Sequence, residues 1–135
     1  MTDPDDGTHH IKIIAGLVTN AEGQLLLVRK RGTSAFMQPG GKIEPNELAR
    51  ETLAREILEE LGCAIDPASV KYKGRFIAPA ANEAGFKVDA ELFSAELSGI
   101  PTAQAEIAEI VWMPPDNPEG LTLAPLTEHH VLPLV

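Results

Sequence analysis

The stretch GKIEPNELARETLAREILEELGC, residues 41–63, decides the fold. Asn46 follows Pro45 and can cap a helix, and Gly62 stands where a left-handed C-terminal cap belongs. Between them an apolar set recurs at helical spacing: Leu53, Ala54, Ile57, Leu58 and Leu61. The stretch therefore predicts a helix over residues 47–61 with one apolar face to bury.

Strand-like runs lie on both sides of this helix. β-Branched and other apolar residues dominate the segments 11–19, 24–29, 70–78, 87–97 and 107–113. A polar turn at residues 20–23 makes the first two a hairpin or a pair of neighbouring strands. Residues 127–132 are expected to form a short last helix. The order strands, helix, strands, helix predicts an α+β fold with a mixed sheet packed between helices.

Charge and composition exclude several partners. Eleven Lys and Arg against twenty Asp and Glu give a net charge of −9, so a polyanionic nucleic acid polymer would be repelled. A run of about 18 apolar residues is absent from the sequence, so no membrane span is expected. A small phosphate ester is still an allowed ligand, because divalent cations can bridge an acidic protein to an anionic ligand.

The chain length of 135 residues predicts one domain. Residues 1–9 are expected to be a flexible tail, because their acidic start lacks the basic-then-apolar pattern of a signal peptide. The single cysteine, Cys63, allows no intrachain disulfide and fits the reducing cytoplasm. No sequence feature decides whether a homodimer forms.

Three carboxylates lie on one side of the predicted helix. At about 100° per residue, Glu56, Glu59 and Glu60 fall within an arc of about 100°, opposite the apolar set. Each i,i+3 or i,i+4 pair of like charges costs a helix a few tenths of a kcal/mol, roughly, and a hard divalent cation would relieve that repulsion. The alternative is an ordinary solvated acidic face. The preceding Pro39-Gly40-Gly41 favours a site, because glycine lets the backbone approach closely.

The spacing of these residues resembles the signature of the Nudix hydrolases, a family of MutT-like proteins. That signature reads G-x5-E-x7-R-E-U-x-E-E-x-G-U, where U is a bulky aliphatic residue. The matching positions are Gly41, Glu47, Arg55, Glu56, Ile57, Glu59, Glu60 and Gly62. The departure is Cys63 at the last position, and a buried cysteine behaves as a small hydrophobe.

The resemblance implies a Nudix-type α/β/α sandwich over residues 10–135, with a mixed sheet between helices. It implies that Glu56, Glu59 and Glu60 bind Mg²⁺ or Mn²⁺, together with the carbonyl of Gly40. Glu47 and Arg55 would be the pair that orders the loop against the helix, the alternative being an ordinary surface ion pair.

The general base is not fixed by the resemblance. Glu56 is the first choice within the helix. Glu106 and Glu109, just before or within the last strand, are candidates for an extra metal ligand or base, with Glu106 preferred. The alternative for each is a glutamate that only faces solvent.

The implied reaction is attack of water on one phosphorus of a nucleoside diphosphate linked to another group. Nucleoside triphosphates, ADP-ribose and nucleotide sugars stay open as substrates. Arg29 and Arg31 could hold a phosphate or be solvated at a strand end, and Gly41 would lie against the substrate. Pro79 has a counterpart in some ADP-ribose-cleaving relatives. The aromatic candidates for base stacking are Phe36, Phe76, Phe86 and Trp112, although a place in the core is the favoured interpretation of each.

Two other hypotheses compete with hydrolysis. One is a non-catalytic module on the same fold that binds or senses a nucleotide. The other is an acidic interaction domain, which leaves the signature unexplained. The retained glutamates favour the metal-dependent hydrolase.

Overall fold

A mixed four-stranded sheet forms the centre of the fold, which a computed structural model describes for residues 9–118 and 120–135. Its strands, in spatial order, are β3 (Gly40–Gly41), β1 (His9–Val18), β6 (Phe86–Ala95) and β5 (Lys71–Pro79). β1 and β6 run parallel, whereas β3 and β5 are antiparallel to their neighbours. Two smaller antiparallel sheets pair β2 (Leu25–Lys30) with β8 (Ile107–Met113), and β4 (Ala64–Ile65) with β7 (Leu97–Ser98).

The helix predicted from the decisive stretch is α1 (Ala49–Leu61), and it begins two residues later than expected. Its N-cap is Leu48, whose N–H donates to the Glu51 carboxylate at 2.8 Å. Asn46 is not the cap. It lies two residues before the cap and has a positive φ of 63°. Gly62 ends the helix at φ 68°, in the left-handed conformation that was predicted.

The sheets lie between α1 and the C-terminal segment, as the α/β/α prediction requires. On one face, Leu53 and Ile57 of α1 are fully buried against Ile14 and Val18 of β1. The opposite face of β1 packs against the C-terminal segment, in one core cluster with Leu126 and Val131. Alternation along β1 separates the two cores. Leu58, expected in the apolar face of the helix, is 56% exposed.

The ends of the chain differ from the predictions in detail. His9 is the first residue of β1 and not part of a tail, and residues 1–8 lie outside the described part of the chain. The last helix is a π-helical turn (Thr127–Val131) followed by a 3-10 turn (Leu132–Leu134). A further 3-10 turn spans Pro67–Ser69. Across the described residues, none of the helices has the length and apolar character needed to cross a membrane.

A turn joins β1 and β2, but the two strands do not pair along their length. Thr19 and Leu25 form one bridge across the turn at residues 20–23. Beyond it, β1 pairs with β3 and β6, whereas β2 pairs with β8. The predicted strand at 87–97 is likewise divided, since β6 ends at Ala95 and Leu97 belongs to β7.

Candidate active site

A cleft of about 400 Å³ opens beside β1, β3 and α1. The charged side chains that line it, here called the charged wall, are Lys30, Lys42, Glu44, Arg55, Glu56, Glu60, Glu83 and Glu106. Apolar side chains line the rest, and six of them are here called the apolar wall: Ile11, Ile13, Ala15, Val88, Ala124 and Leu126. A cleft of this size, in which apolar side chains meet a cluster of charged ones, has the volume and the mixed lining of a small-molecule site.

Arg55 joins the loop before α1 to the helix itself. Its Nε donates to Glu47 Oε2 at 2.7 Å and its Nη2 to Glu47 Oε1 at 3.0 Å. The same guanidinium donates to Glu56 Oε2 at 2.8 Å and to the carbonyl of Lys42 at 3.1 Å. These bonds, with one from the Thr52 hydroxyl, lower the pKa of Glu47 to about 2. The Glu47–Arg55 pair therefore has the geometry expected of a loop-ordering pair.

Glu56 faces the glycine loop at very short range. A Cβ placed on Gly41 would lie 2.5 Å from Glu56 Cδ, so any side chain at this position would displace the Glu56 carboxylate. Burial raises the pKa of Glu56, and the hydrogen bond from Arg55 partly offsets that effect. The arrangement fixes the carboxylate from two sides, by Arg55 and by the loop backbone.

Glu60 is the buried carboxylate of the charged wall, with 3% of its surface exposed. The N–H of Gly40 donates to its Oε1 at 3.0 Å. Burial raises the pKa of Glu60 to about 8, and the charges of Glu56 and Glu106 add to that effect. A carboxylate kept this far from water and beside other carboxylates needs added positive charge to ionise.

Gly40 holds the loop in place through its backbone. Its φ is 151°, and a Cβ at this position would lie 2.0 Å from the carbonyl oxygen of Ile14. The structure shows the Gly40 N–H, and not its carbonyl, in contact with Glu60. The metal-ligand role of the carbonyl stays a prediction.

The remaining predicted acids take different places. Glu59 does not line the cleft; its side chain is 55% exposed and lies 3.5 Å from Arg55 Nη1. Glu106 does line it, and its Oε1 lies 3.5 Å from Lys30 Nζ. Glu109 bonds Arg29 across the β2–β8 pair at 3.2 Å, away from the cleft. Of the two late candidates for a base or ligand, the fold brings only Glu106 to the site.

The basic side chains of the cleft do not include Arg29 or Arg31, the two that the sequence analysis considered for phosphate binding. Arg29 donates to Glu109 and to the carbonyl of Thr33, and Arg31 to the carbonyl of Ala105. Neither lines the cleft, whereas Lys30 does. Strand alternation is the reason, because Val28 and Lys30 face the cleft and the residue between them faces away. The expectation that Arg29 and Arg31 hold a phosphate here is not supported by their placement.

Two lysines of the cleft were missed by the sequence analysis. Lys30 could have been found by extending the two-residue period of β2 from Val28. Lys42 follows Gly41 directly, and a cation next to a glycine loop is a recognisable phosphate-binding feature. Gln38, also missed, lines the cleft just before Pro39.

The aromatic candidates all lie outside the cleft, while Pro79 lines it. Phe76 stacks on His130 with ring centroids 5.3 Å apart, and Phe86 stacks on His9 at 5.0 Å. Phe36 is buried in the core cluster that contains Leu126, and Trp112 packs against the other cluster, which contains Leu53. The alternative that these rings are structural is the one that the fold supports.

The donor set of the charged wall fits a hard divalent cation. Within the described residues, no three His, Cys, Asp or Glu side chains stand ready as a closed metal cage. Mg²⁺ often uses only one or two carboxylates and completes its octahedron with water and substrate phosphates. Glu56 and Glu60 supply such oxygens at the cleft, and burial raises the pKa of both, so a nearby cation would favour their ionised forms. Their chemistry suits Mg²⁺ or Mn²⁺ and not a metal that prefers sulfur.

Comparisons with known proteins agree with the fold and with the resemblance found in the sequence. The family model described as the NUDIX domain matches residues 9–134. The chain is 27% identical over 123 residues to a MutT-like protein of Streptomyces ambofaciens, covering 87% of this chain and 74% of that protein. It is 38% identical over 74 residues to an RNA pyrophosphohydrolase of Halorhodospira halophila (strain DSM 244 / SL1), covering 55% of this chain and 38% of that protein.

A solved structure shows the same fold over nearly the whole chain. The crystal structure of a MutT NUDIX hydrolase from Burkholderia pseudomallei superposes with a TM-score of 0.72 at 22% identity, covering 93% of this chain and 95% of that one. Apart from the Streptomyces protein, the curated relatives are matched over less than half of their length, 31% to 44%. The domain match nevertheless spans almost all of this sequence, and the chain belongs to the Nudix hydrolase family.

Proposed function

We propose that this chain is a metal-dependent pyrophosphohydrolase that cleaves the diphosphate linkage of a nucleoside diphosphate joined to another group. The observation that carries the proposal is the charged wall, where Glu56 and Glu60 meet the Gly40–Gly41 loop beside two lysines. Carboxylates for a cation and ammonium groups for phosphate oxygens lie on one small cleft. That combination suits a polyphosphate substrate.

The binding chemistry is divided between the two kinds of charge. Glu60 would hold the cation, with Glu106, which also lines the cleft, as a further acid, and the free oxygen of Glu56 is kept for the base role. When bound, such a cation neutralises diphosphate oxygens and lowers the pKa of the attacking water. Lys30 and Lys42 line the same wall and would pair with phosphate oxygens as point charges.

Glu56 is the proposed general base. Arg55 Nη1 occupies its Oε2, so the proton from the attacking water would pass to Oε1. Burial raises the pKa of this carboxyl, and a base whose pKa moves towards the working pH accepts a proton more effectively. Arg55 and the Gly41 backbone hold the group in position while it does so.

The substrate class extends over nucleoside triphosphates, ADP-ribose and nucleotide sugars. The volume of about 400 Å³ is within the usual range for such ligands. Pro79 and the neighbouring residues 80–83 line the cleft, so the β5–β6 loop contacts whatever binds there. The Halorhodospira relative is named an RNA pyrophosphohydrolase, so an RNA is added to the substrates worth testing. The buried, unpaired Cys63 supports a location in the reducing cytoplasm.

A substrate panel tests the proposal directly. Phosphate or pyrophosphate release is measured for deoxynucleoside triphosphates, 8-oxo-dGTP, ADP-ribose, UDP-glucose and a 5′-triphosphate RNA, with Mg²⁺, with Mn²⁺ and with EDTA. We expect metal-dependent turnover of at least one substrate, and loss of it in Glu56→Gln. Glu51→Gln is the matched control, because Glu51 is on the same helix but outside the cleft.

The sensing module is the competing outcome of the same panel. It predicts that a nucleotide binds, by calorimetry, while no substrate is cleaved with either metal. That result would replace the hydrolase proposal with a binding function.

A further inference from the structure

Thr52 is a fully buried polar residue of α1. It stands at the start of an i,i+4 row of the helix that continues with Glu56 and Glu60, two acids of the charged wall. A β-branched residue has a lower helix propensity than alanine, and a buried hydroxyl needs a hydrogen-bond partner. Helix formation therefore does not account for a threonine here, and the partner of its hydroxyl indicates its role.

The Thr52 hydroxyl donates to the Glu47 carboxylate in the loop before the helix. Its Oγ1 lies 2.6 Å from Glu47 Oε1 and 3.3 Å from the carbonyl oxygen of Leu48. A hydroxyl has a single proton, and the shorter contact with the charged acceptor is the stronger hydrogen bond. The Leu48 carbonyl already accepts the backbone N–H of Thr52 at 2.9 Å, so it does not depend on the hydroxyl.

Three donors meet at this one oxygen of Glu47. Besides the Thr52 hydroxyl, the backbone N–H of Glu44 and Nη2 of Arg55 each lie 3.0 Å from it. The donors come from the loop and from the first and second turns of α1, so the carboxylate cannot rotate without losing at least one bond. Thr52 is fully buried, whereas the Arg55 side chain is 25% exposed. The least mobile of the two side-chain donors is therefore Thr52.

The orientation of Glu47 is passed to Glu56 through Arg55. Glu47 accepts from Nε and Nη2 of the guanidinium, and because that group is planar, its third nitrogen, Nη1, is fixed as well. Nη1 donates to Glu56 Oε2 at 2.8 Å. A rotation of the Glu47 carboxylate would therefore move the donor that holds Glu56.

We propose that Thr52 is a positioning residue for Glu56, acting through Glu47 and Arg55. This inference rests on the proposed function, because Glu56 is the base proposed there. Thr52 itself does not line the cleft. Loss of its hydroxyl should slow the chemical step more than it weakens substrate binding, because it disturbs the placement of the base and not the charges that bind phosphate.

Steady-state kinetics on the best substrate of the panel tests the role of the hydroxyl. Thr52→Ala and Thr52→Ser differ by one oxygen, and alanine favours the helix, so both variants should fold. We expect kcat to fall about tenfold in Thr52→Ala, the effect of one hydrogen bond to a charged group, while KM changes less than about threefold. Thr52→Ser should restore most of the rate. Leu53→Val is the control, because it shortens the neighbouring core side chain and should lower stability without lowering kcat.

A double-mutant cycle shows whether the effect passes through Arg55. In the Arg55→Lys background the fork on Glu47 is already lost, so Thr52→Ala should lower kcat by less than about twofold further. The same tenfold loss in both backgrounds would indicate a general structural effect and would overturn the inference.

A measurement without turnover separates this inference from the proposed function. Nitrogen–proton correlation NMR observes the Nε–H of Arg55, which is assigned by its absence in Arg55→Lys. Its exchange with solvent should be about tenfold faster in Thr52→Ala than in the wild type and Thr52→Ser. Equal exchange in all three proteins, or equal kcat in Thr52→Ala and Thr52→Ser, would contradict the positioning role. A wild type that cleaves no panel substrate would instead count against the proposed function, and the exchange rates would still decide whether Thr52 fixes the Glu47–Arg55 pair.

Discussion

The guanidinium of Arg55 holds both oxygens of the Glu47 carboxylate, Nε at 2.7 Å from Oε2 and Nη2 at 3.0 Å from Oε1. The two residues are eight positions apart, and the contact ties the loop before α1 to the second turn of the helix. A third donor of the same group, Nη1, reaches Glu56 at 2.8 Å. One planar side chain thus positions both the loop and a carboxylate of the cleft.

Arg55→Lys tests whether this fork matters for activity. An ammonium group cannot make the parallel pair of bonds to Glu47 and still reach Glu56. We expect turnover of the best panel substrate to fall about 100-fold, the usual effect of misplacing one polar group in an active site. Arg50→Lys, on the same helix, should keep near-normal turnover, because the Arg50 guanidinium donates to the Val70 carbonyl and does not line the cleft. Equal turnover by the two variants would show that Arg55 has no role in the active site.

Glu60→Gln tests the cation-binding role of the buried acid. The amide keeps an oxygen for the Gly40 N–H, so the fold should persist while the charge is lost. We expect turnover to fall at least about 100-fold, and less for Glu59→Gln, because Glu59 lies outside the cleft. Addition of Mg²⁺ or Mn²⁺ should raise the melting temperature of the wild type and not that of Glu60→Gln. An unchanged metal response in the variant would contradict the assignment.

Alanine substitutions of the two loop glycines should affect different properties, stability for Gly40 and turnover for Gly41. In Gly40→Ala the new Cβ meets the backbone oxygen of Ile14 at 2.0 Å and the φ of 151° is strained, so we expect about 1–3 kcal/mol loss of unfolding free energy. In Gly41→Ala the Cβ meets only the end of the Glu56 side chain, which can move. Chemical denaturation should therefore find Gly41→Ala near wild type, while its turnover falls. The opposite pattern would show that the loop is built differently.

The pH dependence of stability should contain a term from Asp89. Arg75 donates to its two oxygens at 2.7 and 2.6 Å and lowers its pKa below the ordinary value of 3.8. A lowered pKa stabilises the fold above pH 3.8, and the contribution is lost as the pH falls through the lower folded value. Asp89→Asn should thus be less stable than wild type at pH 7, with a difference that shrinks below about pH 4. Urea midpoints across pH measure this, and the exposed Asp116 provides the control substitution Asp116→Asn.

Local pattern in the sequence predicted much of the fold. Helical spacing places Leu53 and Ile57 in the core, and both are fully buried. Gly62 ends the helix as expected, because a left-handed cap depends on one residue and its neighbours. The start of α1 was predicted two residues too early. The Glu47 carboxylate binds Arg55 in the second turn of the helix, and Leu48 is the N-cap. Capping rules based on neighbouring residues do not include such a contact.

The sequence by itself determined the family, the acidic helix and the residues that meet at the glycine loop, because these depend on spacing within one short segment. Only the tertiary structure decided which other residues join them. Strand pairing brought Lys30 and not Arg29 to the cleft, carried Glu106 there and kept Glu109 away, and buried Gln38 against Thr127. These contacts join segments up to 89 residues apart, and their partners are chosen by sheet register and by packing over the whole chain.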